Sequence, residues 1–119
     1  MGTDANVAAW MATNEPFNRG DDGPLLDLLD EQVRWITPAG TLEGKAAAAQ
    51  LIAEGRANGW REHRVMSISG HGRTVASTYV NVMSDGTEVP GGGSGVFNDD
   101  GRVVLITSID EVTALGLPT

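Results

Sequence analysis

The sequence has no cysteine, only two histidines, and 8 basic residues against 16 acidic ones over its 119 positions. Without cysteine there is no disulfide, no thiolate nucleophile and no thiolate metal site, and such a chain suits a reducing compartment. The shortage of lysine and arginine leaves a formal charge of -8. That balance argues against nucleic acid as a partner, because phosphate binding needs clustered basic side chains. No apolar run approaches the roughly 20 residues of a membrane-spanning helix. The start, Met1-Gly2-Thr3-Asp4, lacks the basic and then apolar pattern of a secretory leader. The expectation is a cytoplasmic protein without a membrane partner. His63 and His71 stand apart with no ligand spacing around them, so neither a metal nor another cofactor is expected.

What is present reads as one domain over residues 1–119, of ordinary globular composition with 40% hydrophobic residues. Apolar spacing predicts a helix from about Ala5 to Phe17, capped by Asp4 and ended or kinked by Pro16. A short second helix follows, capped by Asp22, with Pro24 in its first turn and Leu25, Leu26, Leu28 and Leu29 on its buried side. Gln32 to Thr37 is rich in branched and aromatic residues and reads as a strand closed by Pro38-Ala39-Gly40. Thr41 to Glu43 reads as a short return. Gly44 to about Asn58 is a third helix, with Gly59 at its end. From Trp60 the period changes to two. Arg61–Ser69, Thr74–Met83, about Gly93–Phe97 and Arg102–Ile109 read as four strands joined by tight turns, which implies an antiparallel meander. Gly91 to Gly95 lacks the lysine and the following helix of a phosphate loop and reads as a bulge or bend in the sheet. The whole is an α+β layer arrangement.

Alternation along strands assigns faces. Val33, Trp35 and Thr37 share one. Ala76, Thr78, Val80 and Val82 form the more apolar side of a central strand and are placed toward the helices. Ser77, Tyr79, Asn81 and Met83 then face outward. His71, in Gly70-His71-Gly72, reads as a solvated hairpin tip. His63 lies in Arg61-Glu62-His63-Arg64, where a surface or edge-strand side chain outweighs a proton shuttle. Trp10 and Trp35 serve equally well as core or as the wall of a ligand site.

The order of elements, Gly20-Asp21, Val33-Arg34-Trp35-Ile36-Thr37-Pro38 running into Leu42-Glu43-Gly44-Lys45, and Gly95-Val96-Phe97 before Asp100-Gly101-Arg102-Val103 together resemble the nuclear transport factor 2-like superfamily. The tail from Asp110 to Pro118 is similar to the ending of its SnoaL-like polyketide cyclase branch. The resemblance implies a cone-shaped, curved antiparallel sheet with three helices packed on its concave face around a pocket. It also implies a homodimer through the outer sheet face, here Tyr79, Asn81 and Met83. The ketosteroid isomerase pattern fails: its base position holds Thr37, and its oxyanion-hole positions fall near Thr13 and Gly93. The limonene epoxide hydrolase pattern fails too, with Trp35, Thr37, Tyr79, Asn81 and Ser108 at or near its functional positions.

What the resemblance implies about function is a pocket for a small hydrophobic molecule and acid/base proton transfer of the cyclase or isomerase kind. It places Val104, Ile106, Ser108 and Asp110 on the pocket face. Asp110 is the candidate catalytic residue, since a carboxylate among apolar walls is poised to take up and return a proton. Its competing reading is the cap of a short C-terminal turn. Trp10, Trp35, Thr37, Thr78, Val80, Ile106 and Ser108 are the candidate substrate-binding residues. A non-catalytic ligand-binding or dimerisation module of the same fold is the alternative.

Overall fold

The computed structural model describes residues 2–110 and residue 112. The chain runs α1 (Thr3–Met11), α2 (Asn14–Asn18), α3 (Gly23–Leu28), β1 (Leu29–Thr37), β2 (Gly40–Glu43), α4 (Lys45–Ala57), β3 (Trp60–His71), β4 (Thr74–Met83), β5 (Glu88–Phe97) and β6 (Val103–Ile109). One curved, open sheet has the order β2-β1-β6-β5-β4-β3. The expected meander β3-β4-β5-β6 is antiparallel throughout. β1 pairs antiparallel with β2 but parallel with β6, which makes the sheet mixed. A parallel partner requires a long crossover, and everything from β2 to β5 supplies it.

The first helix is broken where one was expected to continue to Phe17. Thr13 Oγ1 donates to the carbonyl of Trp10 at 2.7 Å, and α2 begins at the next residue. Pro16 does not end a helix. It sits in the first turn of α2, where an amide N–H has no intrahelical partner to lose. Gly2, not Asp4, is the residue before α1. With α1 and α2 as the two halves of one expected helix, three helical bodies cover one side of the sheet. The C-terminal ending read from the tail falls on residue 111 and residues 113–119, outside the described residues.

α4 shows how the core is built. Ala48, Leu51, Ile52 and Gly55 are buried, the i, i+3, i+4, i+7 stripe of an amphipathic helix. β1 sets Leu29, Val33 and Trp35 beneath it. Arg56, near the end of α4, ties the other helices to it. Its guanidinium donates to Asp22 at 2.5 and 3.2 Å and to the Phe17 carbonyl at 2.7 Å, and lies 4.3 Å from the Phe17 ring centre. Asp22 therefore precedes α3 without capping it through its side chain. Asp21 Oδ1 instead accepts from Gly23 N at 3.0 Å. Among the described residues no helix is long and apolar enough to cross a membrane.

β5 begins at Glu88, five residues earlier than its sequence suggests. The expected bulge at Gly91 to Gly95 is absent, because register with β4 is unbroken from Thr74↔Val96 to Val82↔Glu88. The glycines serve close approach instead. A Cβ at Gly95 would stand 2.7 Å from the Trp10 ring, so the bare backbone there is the seat of α1's tryptophan. Gly95→Ala is expected to push Trp10 off the sheet and cost about 1–3 kcal/mol, the range for overpacking. Urea unfolding would show this as a lower midpoint, and an unchanged midpoint would mean that Trp10 does not rest on that position.

Candidate functional site

A cavity of about 80 Å³ lies between the N-terminal helices and the inner faces of β1 and β3 to β6. A water occupies about 10–15 Å³ on such a measure, so the space suits a few waters or a small organic fragment. Trp10, Phe17, Leu25, Val65 and Ile106 supply apolar wall, and His63, Tyr79, Asn81, Ser108 and Asp110 supply polar groups. An apolar lining with a few placed polar groups is the usual character of a small-molecule site.

Four of the expected binding residues and the expected catalytic residue are brought together. Trp10, Trp35, Ile106 and Ser108 line the cavity with Asp110. Trp35 Nε1 donates to Ser108 Oγ at 2.8 Å in a buried bond, so these two form a braced section of wall. Asp110 is only 6% exposed. Its Oδ2 accepts from the Tyr79 hydroxyl at 2.5 Å, and that hydroxyl also approaches the Gly92 carbonyl at 3.1 Å. A Cβ at Gly91 would stand 2.7 Å from Asp110 Cβ and 2.9 Å from the Tyr79 ring. Glycine there is what lets carboxylate and phenol meet. The capping role of Asp110 falls on residues outside the described ones.

Thr37, Thr78 and Val80 do not line the cavity. Thr37 is buried on the same face as Trp35 but at the hairpin end of β1, where its hydroxyl donates to the Gly40 carbonyl and accepts from Ala39 N. Thr78 and Val80 belong to the other face of β4. The Thr78 hydroxyl bonds that of Ser67 at 2.6 Å in an exposed pair. The face assignment of β4 is thus reversed: Tyr79 and Asn81 are 5% and 0% exposed and turn inward, while Ala76 and Thr78 are exposed. One step along a strand exchanges its faces, and the more apolar set is here the outer one. Tyr79 and Asn81 therefore cannot form an outer dimer surface, and Met83 packs half-buried against the core.

His63 is not the surface side chain its charged neighbours suggest. It lines the cavity, its ring centre 4.2 Å from that of Tyr79. His63 Nδ1 is 2.8 Å from Asn81 Oδ1, which also accepts from Trp60 Nε1 at 3.0 Å. Among the described residues Asn81 Nδ2 is buried without a hydrogen-bond partner. Sequence reasoning missed His63, Tyr79 and Asn81 alike. The signal was their pairing: Tyr79 is the only tyrosine, and a buried tyrosine hydroxyl or tryptophan N–H needs a polar partner on its own side of the sheet.

Burial pushes the Tyr79 phenol well above its ordinary value, and the hydrogen bond to Asp110 and that residue's charge push it the same way. Tyr79 thus keeps its proton and acts as a donor. Burial lowers the His63 imidazole below 6.5, and the contact with Asn81 and the charge of Asp110 offset only part of this. Among the described residues no three histidine or carboxylate side chains converge to hold a metal ion.

No protein-family model and no curated protein sequence matches the chain. Solved structures do. A SnoaL-like family member from Agrobacterium tumefaciens matches at 20% identity and TM-score 0.71, over 91% of this chain and 96% of that one. An NTF2-like protein from Mesorhizobium loti matches at 22% and 0.76, over 91% and 92%. A steroid delta-isomerase from Pseudomonas aeruginosa matches at 20% and 0.72, over 96% and 85%. The fold is that of the nuclear transport factor 2-like superfamily. At these identities the likeness is one of architecture, and the chemistry of this chain has to be argued from its own cavity.

The lowered His63 value has a consequence for stability. Below about pH 6.5 the unfolded chain takes up the imidazole proton before the folded one does. Stability is therefore unaffected by this group above 6.5 and falls as pH drops from there through the folded value. His63→Gln is expected to lose less stability than the wild type between about pH 7 and pH 5, as followed by urea midpoints. Equal losses would show that the ring is not held neutral by burial.

Proposed function

We propose that this chain binds a small, largely apolar molecule and moves a proton on it, in the manner of a SnoaL-like cyclase or isomerase, with Asp110 as the acid/base. The observation that carries this reading is a buried carboxylate bonded to a buried phenol at the wall of a mainly apolar cavity. Charge developing on a ligand in such a site meets fixed dipoles instead of water, which strengthens every electrostatic interaction. Tyr79 supplies a hydroxyl donor beside Asp110, and the braced Trp35–Ser108 pair holds the adjoining wall in place. The reading is not a copy of ketosteroid isomerase, since the Thr37 hydroxyl is taken up in a hairpin turn. In this reading the homodimer implied by the resemblance uses the outer sheet face, on which Thr78 is exposed, and not Tyr79 and Asn81, which are buried.

A non-catalytic binding module is the second reading. It is favoured by the same hydrogen bond, because Tyr79 holding Asp110 also clamps the end of β6 to β4 with no chemistry required. The two part on one assay. Small enolisable ketones are incubated with the protein in deuterium oxide, and exchange of their acidic hydrogens is followed by NMR. Asp110→Asn is expected to lower exchange by about 10²-fold or more, the usual contribution of a positioned acid/base, while ligand line broadening persists. Binding without any wild-type exchange would leave the binding module.

A further inference from the structure

Three side chains around the cavity form an arrangement that Asp110 does not explain. Tryptophan carries a single ring N–H and can only donate. Trp60 Nε1 lies 3.0 Å from the side-chain amide of Asn81, so the atom facing it must be the carbonyl oxygen. The amide orientation of Asn81, ordinarily a matter of assignment, is decided by that neighbour. The same Oδ1 lies 2.8 Å from His63 Nδ1. An oxygen that accepts cannot be approached this closely by a lone pair, so Nδ1 carries the proton. In the neutral ring the other nitrogen, Nε2, is then the acceptor. Asn81 engages the ring at Nδ1, and His63 lines the cavity.

We propose that His63 is a second proton-accepting group of this cavity, held as the Nδ1–H tautomer by Asn81, whose own orientation is set by Trp60. The inference rests on reading the cavity as a proton-transfer site and names a ligand class for it: a neutral carbonyl compound with an acidic C–H. Nε2 takes the proton from that carbon, and the electron pair of the broken C–H bond moves to the carbonyl to give an enolate. Returning the same proton to a different carbon completes an isomerisation with no other reactant. The imidazolium formed on the way lies in the field of the Asp110 carboxylate and beside the Tyr79 ring. Burial meanwhile keeps the resting imidazole unprotonated at neutral pH. Among the described residues, the charged and titratable groups facing His63 are Asp110 beyond β6 and Tyr79 from β4, and α2 presents the uncharged Phe17 and Asn18. Asn81 and Trp60 are positioning residues. Leaving Asn81 Nδ2 buried without a partner costs stability, a cost in keeping with a polar group kept for its effect on a neighbour.

The experiment is long-range ¹H–¹⁵N correlation NMR of the full labelled chain without ligand, above pH 7, with exposed His71 as the internal reference. The expected spectrum gives His63 one protonated-type Nδ1 and one unprotonated-type Nε2. In Trp60→Phe the two resonances should move toward each other as the amide gains freedom to turn. In Asn81→Asp the His63 pKa should rise above that of the wild type. A wild-type ring protonated on Nε2, or an even mixture of tautomers, would overturn the assignment whatever the variants do. In the ketone exchange assay, His63→Gln should retain ligand line broadening and lose about 10²-fold or more of the exchange. Exchange that survives His63→Gln but not Asp110→Asn would remove His63 and leave the proposed function standing. A wild-type protein that binds ketones without exchanging them would instead remove the proton-transfer reading, while the tautomer is still read from the ligand-free spectrum.

Discussion

Trp60 donates its indole N–H to Asn81 across the first pair of long strands, and much of the architecture is arranged so that this bond can exist. The indole sits where α4 ends and β3 begins, 7% exposed, with the Phe17 ring centre 5.0 Å away. α4 approaches it through Gly55, where a Cβ would stand 2.7 Å from the indole. Arg56, the next residue, reaches over Phe17 to Asp22 and so binds α2 and α3 to the same corner. An indole N–H sealed in such a place without an acceptor would cost about 1–3 kcal/mol. Asparagine on the facing strand removes that cost, and its carbonyl then has one lone-pair direction left for His63.

From this follows the unusual character of the sheet's inner face. A strand under helices is expected to turn its apolar side inward, yet β4 turns in Ser77, Tyr79 and Asn81 and leaves Ala76 and Thr78 outside. The polar set is tolerated because its main groups have partners: Tyr79 with Asp110, Asn81 with Trp60 and His63, and, on the neighbouring strands β1 and β6, Trp35 with Ser108. Buried polar networks of this kind tend to specify one arrangement more strongly than apolar packing does. They also gather titratable groups in one place, which is what a site for proton transfer requires. A local departure from good patterning is where function is to be sought, and β4 is the clearest departure in this chain.

The glycines of β5 express the same constraint from the neighbouring strand. Gly91 clears the space in which Asp110 and Tyr79 touch, and Gly95 clears the seat of Trp10. In sequence the stretch looks like a place for the chain to bend. In the fold it is a regular strand with its side chains removed, so that groups from β4, β6 and α1 can come closer than any Cβ would permit.

The alternation from Trp60 onward, the Asp-Gly turns and the alanine-rich helix were enough by themselves to determine the element types, the antiparallel order of the last four strands and the α+β class. Those features depend on local backbone preference and on turn chemistry, which a sequence carries directly. The inward placement of Trp35 was legible because the alternation of β1 agrees with its burial, whereas that of Ile106, Ser108 and Asp110 followed from the family resemblance, since the face of β6 that carries Leu105 and the exposed Ile109 is the more apolar one. The face of β4, the burial of His63 and the splitting of the first helix were not legible. The split coincides with a local bond, Thr13 Oγ1 to the Trp10 carbonyl; the other two each depend on a partner far away in the chain, Asp110 for Tyr79, and Asn81 and Asn18 for His63. Tertiary structure alone decided them, because a polar side chain goes inside only when its hydrogen-bond partner is already there.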